Sequence, residues 1–122
     1  MHDAGDEDET PMDALAQTAR WTAAARARES QRPDRLFEDL LAAVLAGEQG
    51  FALLDAEPPE ARDNPYLAIR THFFDEWLEQ VTWQERVQQL VLVAAGMGSR
   101  AFRLSWPAEL VSLNWTSRRC LS

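Results

Sequence analysis

The glycine turn at Gly96 and Gly98 is the stretch of this sequence best suited to ligand chemistry. It follows an apolar, β-prone run over residues 90–95, and Ser99 and Arg100 resume a polar sequence after it. This order is typical of a buried strand, a tight turn and a new helix start. Ligands bind at such junctions in α/β proteins, because glycines allow close backbone approach and a helix start offers free N–H groups. An ordinary strand-to-helix connection has the same spacing, so the turn alone is a weak sign of a nucleotide-like cofactor.

Arg70 is the second candidate, and it lies in a strongly periodic helix predicted to start at Asn64-Pro65. One broad face of that helix is apolar: Tyr66, Ile69, Phe73, Phe74, Trp77, Leu78 and Val81. Arg70 is expected on the same face, where an unpaired buried guanidinium would be very costly. The sequence therefore predicts an anionic partner, either an Asp or Glu of this protein or the carboxylate of a bound ligand. His72 and Asp75 lie off this face and are expected to face solvent.

The composition favours one soluble domain with a real core and excludes several functions. The chain has 122 residues, of which 46% are hydrophobic, and its net charge of −8 argues against nucleic acid or an anionic membrane as a partner. The single cysteine, Cys120, excludes an internal disulfide, and His2 and His72 are too few for a metal site on their own. Without a long apolar run or a signal sequence, the expected location is the cytoplasm.

The N-terminal part is predicted to be helical after a disordered acidic head at residues 1–12. A helix over residues 13–30 carries Arg20, Arg26 and Arg28, which either border solvent or face a negative ligand.

A second helix is predicted from Asp34, its N-terminal cap, to about residue 46, and Gly47 and Gly50 are expected to end it. Residues 51–64 are expected to form a loop. After the glycine turn, the sequence Ser105-Trp106-Pro107 is expected to break the next helix.

Four blocks follow one another in a fixed order: Thr18–Arg26 (TARWTAAAR), Arg32–Asp39 (RPDRLFED), Asn64–Asp75 (NPYLAIRTHFFD) and Leu90–Leu104 (LVLVAAGMGSRAFRL). This series resembles the actinobacterial S-adenosylmethionine-dependent methyltransferases related to leucine carboxyl methyltransferases. The resemblance covers roughly residues 14–110. It implies an α/β fold in which an N-terminal helical cap, residues 13–85, precedes the first strand and glycine turn of a Rossmann-like, doubly wound methyltransferase sheet, residues 86–110, which is incomplete here.

The resemblance also implies a small-molecule cofactor, S-adenosylmethionine, and its binding residues. Arg70 matches the family arginine that pairs with the methionine carboxylate, and Arg28 is a second candidate, placed by its spacing before the Asp39 block. The turn residues expected against the methionine and ribose portion are Ala95, Gly96, Gly98 and Arg100. Catalysis in this class is mainly positioning of a sulfonium methyl group, so no catalytic nucleophile and no metal are expected. The methyl acceptor does not follow from the sequence.

Three departures from the family pattern bear on activity. Leu40 stands where the family usually has Pro, and Gly98 stands where it usually has Asp. The third departure is residues 111–122, where the family would continue with a second strand ending in Glu-Leu-Asp, whose Asp takes the ribose hydroxyls. Read two nucleotides later, any codons for Asn114-Trp115-Thr116 give Leu-Asp. We therefore expect a frameshift near Leu110; a divergent short tail is the alternative, and the gene's nucleotides decide between them.

A chain of this kind is expected to fold poorly or to pack its helices loosely around an exposed strand, with aggregation and negligible methyl transfer. The rival interpretation is a small, non-catalytic helical interaction module, whose aromatic face at residues 66–81 docks a partner helix. The substitution Arg70→Ala separates the two interpretations. If Arg70 binds the cofactor, binding should be lost and helix content retained; if it serves packing, the change should mainly lower stability. A generic nucleotide-binding domain is disfavoured because no lysine-bearing phosphate loop is present.

Overall fold

Helices occupy the first two thirds of the described chain, and a two-stranded parallel sheet follows them. A computed structural model describes residues 11–93 and 98–116, so nearly all of the predicted acidic head lies outside it. The elements are α1 Pro11–Gln31, α2 Ala42–Asp55, α3 Pro59–Arg62, α4 Tyr66–Gln84, β1 Gln89–Val93, α5 Arg100–Arg103 and β2 Val111–Trp115. None of the helices in these ranges is both long enough and apolar enough to cross a bilayer.

The core lies between α1 and α2 and is built from small side chains. Its fully buried members are Ala23, Ala24, Ala46 and Leu54, with Trp21, Ala25, Leu45 and Phe51 packed at its margin. Gly50 makes this packing possible, because a Cβ atom there would lie 2.6 Å from the backbone oxygen of Arg20. Alanine and glycine at facing positions allow the two helix backbones to approach closely.

The prediction that Gly47 and Gly50 end the second helix is wrong. The helix begins only at Ala42 and continues to Asp55, with one kink at Gly47, whose φ of 61° and ψ of −177° are not helical. Such a conformation is almost exclusive to glycine, which explains the residue at the kink. Gly50 lies inside the helix, where close contact with α1 outweighs its low helix propensity.

The expected helix start at Asp34 is also wrong, because side chains of α1 bind the backbone N–H groups of Leu36 and Asp39 instead. The carboxylate Oε1 of Glu29 accepts the N–H of Leu36 at 3.0 Å, and Ser30 Oγ accepts the N–H of Asp39 at 2.8 Å. Asp34 caps nothing and pairs with Arg32 at 3.2 Å. The segment is therefore irregular although its apolar residues have helical spacing.

The predicted loop over residues 51–64 is mostly helical, since α2 includes residues 51–55 and α3 includes residues 59–62. The predicted start of α4 is confirmed within a residue. Pro65 is its N-terminal cap, and Asn64 Oδ1 accepts the N–H of Tyr66 at 2.9 Å.

The face of α4 that packs inward is not the aromatic face. Its buried residues are Thr71, Asp75, Leu78 and Thr82, spaced four, three and four residues apart. Most of the apolar face predicted to be buried is exposed: Tyr66, Ile69, Phe73, Phe74 and Trp77. Hydrophobic periodicity identifies an apolar stripe on a helix, but it does not show whether another element covers that stripe.

The sheet consists of β1 and β2 in parallel, with Gln89 opposite Val111 and Val93 opposite Trp115. Residues 111–115 depart from the family's sequence for its second strand, yet they form a strand in this position. The origin of this sequence by frameshift stays a prediction. The side chains of Val91, Val93, Leu113 and Trp115 are all more than half exposed. Mixed helices and a two-stranded parallel sheet with exposed apolar faces fit an incomplete α/β fold.

Candidate functional site

The described end of the glycine turn is Gly98 and Ser99. Two of the predicted cofactor-binding residues, Ala95 and Gly96, lie outside the described residues. Gly98 is half-buried, and Ser99, the N-terminal cap of α5, is only 2% exposed. The hydroxyl of Ser99 does not cap the helix, because it is hydrogen-bonded to a distant carboxylate.

That carboxylate belongs to Asp39, whose side chain is 1% exposed. Its Oδ2 accepts hydrogen bonds from Ser99 Oγ at 2.5 Å and from Arg26 Nε at 3.0 Å, and its Oδ1 accepts the N–H of Leu41 at 3.2 Å. Burial lowers the pKa of Arg26 from its ordinary value, and the hydrogen bond to Asp39 opposes that shift. Asp39 thus joins α1 to the residues that follow the glycine turn.

A second buried carboxylate, Asp75 of α4, holds the same segment from the other side. Its Oδ1 accepts Arg100 Nε at 2.8 Å, and its Oδ2 lies 2.7 Å from Arg103 Nη1 without the alignment of a hydrogen bond. Arg103 Nε donates to Ser99 Oγ at 3.4 Å, and its guanidinium carbon lies 5.4 Å from the centre of the Phe37 ring. The expectation that Asp75 faces solvent is wrong.

His72, which was also expected to face solvent, is half-buried. Its Nε2 lies 3.3 Å from Glu76 Oε1, one turn further along α4.

Arg70 lies on the exposed face of α4, and the expectation that it points toward the core is wrong. Its guanidinium carbon is 6.0 Å from the centre of the Tyr66 ring. Among residues 11–93 and 98–116, no Asp or Glu forms an ion pair with it. Of the two partners that the sequence allowed, a protein carboxylate is therefore not found in the described part of the chain.

Arg28 is exposed and already paired. It forms an ion pair with Asp55, and its guanidinium carbon lies 5.8 Å from the centre of the Phe51 ring. The side chain borders a cleft of about 240 Å³ between α1 and the start of α4. Arginines are prominent in the lining of this cleft: Arg26, Arg28, Arg32 and Arg62. Within the described residues, no group of three or more histidine, cysteine or acidic side chains is arranged to hold a metal ion.

Comparison with known sequences decides the family. The model of the leucine carboxyl methyltransferase family matches residues 19–114, which is well over half of the chain. The chain belongs to this family. The match extends from α1 through the glycine turn to β2, so it includes both buried carboxylates and the residues that they bind.

Several bacterial members of the family are similar to it. A protein of Parafrankia sp. strain EAN1pec, named as a candidate S-adenosyl-L-methionine-dependent methyltransferase, is 48% identical over 103 residues, which cover 77% of this chain and 33% of the relative. A protein with the same description from Streptomyces coelicolor is 44% identical over 74% of this chain and 34% of its own length. Another from Mycobacterium avium is 39% identical over 81% of this chain and 36% of its own length. The chain spans about a third of the length of these relatives.

The carboxylates Asp39 and Asp75, which bind the residues that follow Gly98, were not predicted from the sequence. A usable signal was present for Asp75: the series Thr71, Asp75, Leu78 and Thr82 has helical spacing, and Arg100 and Arg103 are three residues apart. A narrow face of small and polar residues is easily overlooked beside a broad aromatic one. Asp39 has one local contact, the N–H of Leu41, but its side-chain partners Arg26 and Ser99 lie 13 and 60 residues away in sequence.

Proposed function

We propose that this chain is the helical cap and the beginning of the sheet of an S-adenosylmethionine-dependent methyltransferase, and that Arg70 and the glycine turn bind the methionine end of the cofactor. Family membership and the names of the relatives support the cofactor. The turn follows a parallel strand, which is where α/β folds bind such ligands.

One observation carries the assignment of Arg70. Its guanidinium is exposed, and no acidic side chain of the described residues pairs with it, whereas Arg28 and Arg100 are paired with Asp55 and Asp75. An arginine without a carboxylate is suited to bind the carboxylate of methionine in bidentate fashion. We therefore assign Arg70 to the ligand and Arg100 to holding the segment that follows the turn.

The ribose end of the cofactor fits this chain less well. Within residues 111–116 the end of β2 carries Asn114, Trp115 and Thr116, and no carboxylate is present to take the two ribose hydroxyls. When bound, the cofactor supplies an electrophilic methyl group on its sulfonium sulfur. This chain binds and orients the methionine portion, and we expect negligible methyl transfer from it alone, because catalysis of this kind depends on holding both reactants in line.

A titration followed by nuclear magnetic resonance tests this proposal. S-adenosylmethionine, free methionine and adenosine are added separately to the ¹⁵N-labelled chain. We expect the first two to shift the side-chain Nε–H signal of Arg70 and the amide signal of Gly98, and adenosine to shift neither. The substitution Arg70→Ala should abolish the shifts at Gly98 and leave the helical circular dichroism unchanged.

The matched control is Arg86→Ala, which removes another exposed arginine just after α4. Its cofactor-induced shifts should equal those of the parent chain. Shifts that persist in Arg70→Ala, or that are lost equally in Arg86→Ala, would contradict the assignment of Arg70.

A helical interaction module is the second candidate, and the exposure of the α4 aromatic face favours it. Phe73 is 63% exposed and packs edge-on against Phe74, with ring centres 5.5 Å apart. Such a stripe is the kind of surface that docks an amphipathic helix. If Arg70→Ala alters only stability and no cofactor shift is seen in the parent chain, this interpretation replaces the first.

A further inference from the structure

We propose that Asp39 and Asp75 are positioning residues that fix the end of the glycine turn against the helical cap. The two carboxylates with Ser99, Arg100 and Arg103 are called the carboxylate clasp below. The inference rests on the proposed function, because it concerns the placement of the same cofactor site.

The segment after the turn has little apolar attachment of its own. No residue of α5 is buried, and Phe102 in its middle is 77% exposed. The buried residue of the segment is the polar Ser99, and Arg103 has a side chain only 13% exposed. Hydrogen bonds and ion pairs therefore hold this segment where apolar contacts hold most helices.

The clasp reaches the segment from two independent elements. Asp39 comes from the irregular stretch between α1 and α2 and binds Ser99, while Asp75 comes from α4 and binds Arg100 and Arg103. The hydrogen bond from Arg103 Nε to Ser99 Oγ connects the two halves. Buried charged hydrogen bonds of this kind are directional, so they define one position of the segment.

The consequence for the site follows from the neighbours of these residues in sequence. Gly98 directly precedes Ser99, and Arg70 lies five residues before Asp75 on α4, on the exposed side of that helix. By binding Arg100 and Arg103, Asp75 sets the position of the adjacent Ser99 and Gly98. The clasp thus fixes Gly98 relative to α4, the helix that carries Arg70, without touching the ligand.

Limited trypsin digestion of the full chain, read by mass spectrometry, tests the clasp directly. The variants are Asp75→Asn and Asp39→Asn, with Asp34→Asn as a control that loses a solvent-exposed ion pair. We expect Asp75→Asn to be cut about tenfold faster after Arg100 and Arg103, because local opening is easier, and at an unchanged rate after Arg20 in α1. The control should match the parent chain at every site.

A role in general stability alone would predict a different pattern, in which cleavage rises equally at all arginines and the melting temperature falls. That pattern, or unchanged cleavage after Arg100 and Arg103, would overturn the proposal. If Asp75→Asn does not fold, Arg100→Gln provides the second test. It removes the more exposed arm of the clasp, whose side chain is 30% exposed, and should accelerate cleavage after Arg103.

The cofactor titration separates failure of the clasp from failure of the proposed function. Loss of the Gly98 shift in Asp75→Asn, with helical circular dichroism retained, supports positioning. A shift that Asp75→Asn retains would overturn positioning and leave the function standing. No shift in the parent chain would reject the function, while the digestion pattern still decides whether the clasp holds the segment.

Discussion

Ser99 Oγ lies 2.5 Å from Asp39 Oδ2, and this hydrogen bond joins residues that are 60 positions apart in sequence. It closes a loop that contains α2, α3, α4 and β1. The same carboxylate oxygen accepts Arg26 Nε, so a buried serine, an aspartate and an arginine share one contact point between the cap and the turn. Fixing such distant groups together costs chain entropy, which a strong, charge-assisted contact helps to offset.

Removing the Asp39 carboxylate should destabilise the chain strongly. In Asp39→Ala, the buried guanidinium of Arg26 loses the carboxylate that lies 3.0 Å from its Nε, and we expect the free energy of unfolding to fall by about 3 kcal/mol. Urea unfolding followed by tryptophan fluorescence measures this.

The double variant Arg26→Met with Asp39→Leu should recover much of the loss, because an apolar pair of similar volume needs no desolvation of charge. In the control Asp34→Ala, an ion pair whose carboxylate is 74% exposed is removed, and the change should stay below about 1 kcal/mol. If Asp39→Ala and Asp34→Ala lower the free energy of unfolding equally, the buried pair of Arg26 and Asp39 contributes no more to stability than an exposed one.

Local sequence determines some features of this fold and not others. The start of α4 follows from Asn64-Pro65, and the strand β1 before the glycines and the helix α5 after them follow from hydrophobic patterning, so these elements were predictable. The range of α2 was not, because Gly50 is used for contact with Arg20 of another helix. The sequence does not distinguish a glycine that ends a helix from one that allows two helices to pack closely.

The orientation of α4 was the larger error, and it affected the site. Arg70 was expected to face the core because its neighbours are aromatic, whereas the inward side chains are Thr71 and Asp75. Asp75 is buried because Arg100 and Arg103 neutralise it, and those arginines are 25 or more residues away. Helical spacing places Asp75 on one face of α4 and the two arginines on one side of α5, but only the three-dimensional structure shows that these faces meet.

The close approach of α1 and α2 at Gly50 predicts a sharp steric effect. In Gly50→Ala, the new Cβ would meet the backbone oxygen of Arg20 at 2.6 Å and the Cβ of Ala46 at 3.0 Å. Backbone atoms cannot move aside cheaply, so we expect destabilisation of about 1–3 kcal/mol although alanine is the better helix former. The neighbouring exposed change Gln49→Ala should be almost neutral. A Gly50→Ala chain that is more stable than its parent would show that the helices are not in contact there.

The ion pair between Arg32 and Asp34 predicts a pH effect. The hydrogen bond from Arg32 lowers the pKa of Asp34 below its ordinary value of 3.8. The folded chain therefore binds this proton less readily than the unfolded chain, so the pair favours folding above about pH 3.8 and loses that contribution as the pH falls through the lowered value. A ¹³C titration of the Asp34 carboxyl should give a midpoint below 3.8 that returns toward 3.8 in Arg32→Gln. Arg86→Gln should leave it in place, and a midpoint unaffected by Arg32→Gln would contradict the assigned cause.

The exposed aromatic face of α4 predicts that polar substitutions there are tolerated and reduce association. Phe73 and Trp77 are 63% and 49% exposed. The double variant Phe73→Ser with Trp77→Ser should therefore lose less than about 1 kcal/mol of stability. It should also bind less of a fluorescent hydrophobic dye and aggregate more slowly. The matched change Leu78→Ser, on the buried face of the same helix, should instead cost about 2–4 kcal/mol. Dye fluorescence and light scattering against protein concentration give the first result, and urea unfolding gives the second. If Phe73→Ser with Trp77→Ser unfolds the chain as Leu78→Ser does, the aromatic face is covered in solution and the orientation of α4 must be revised.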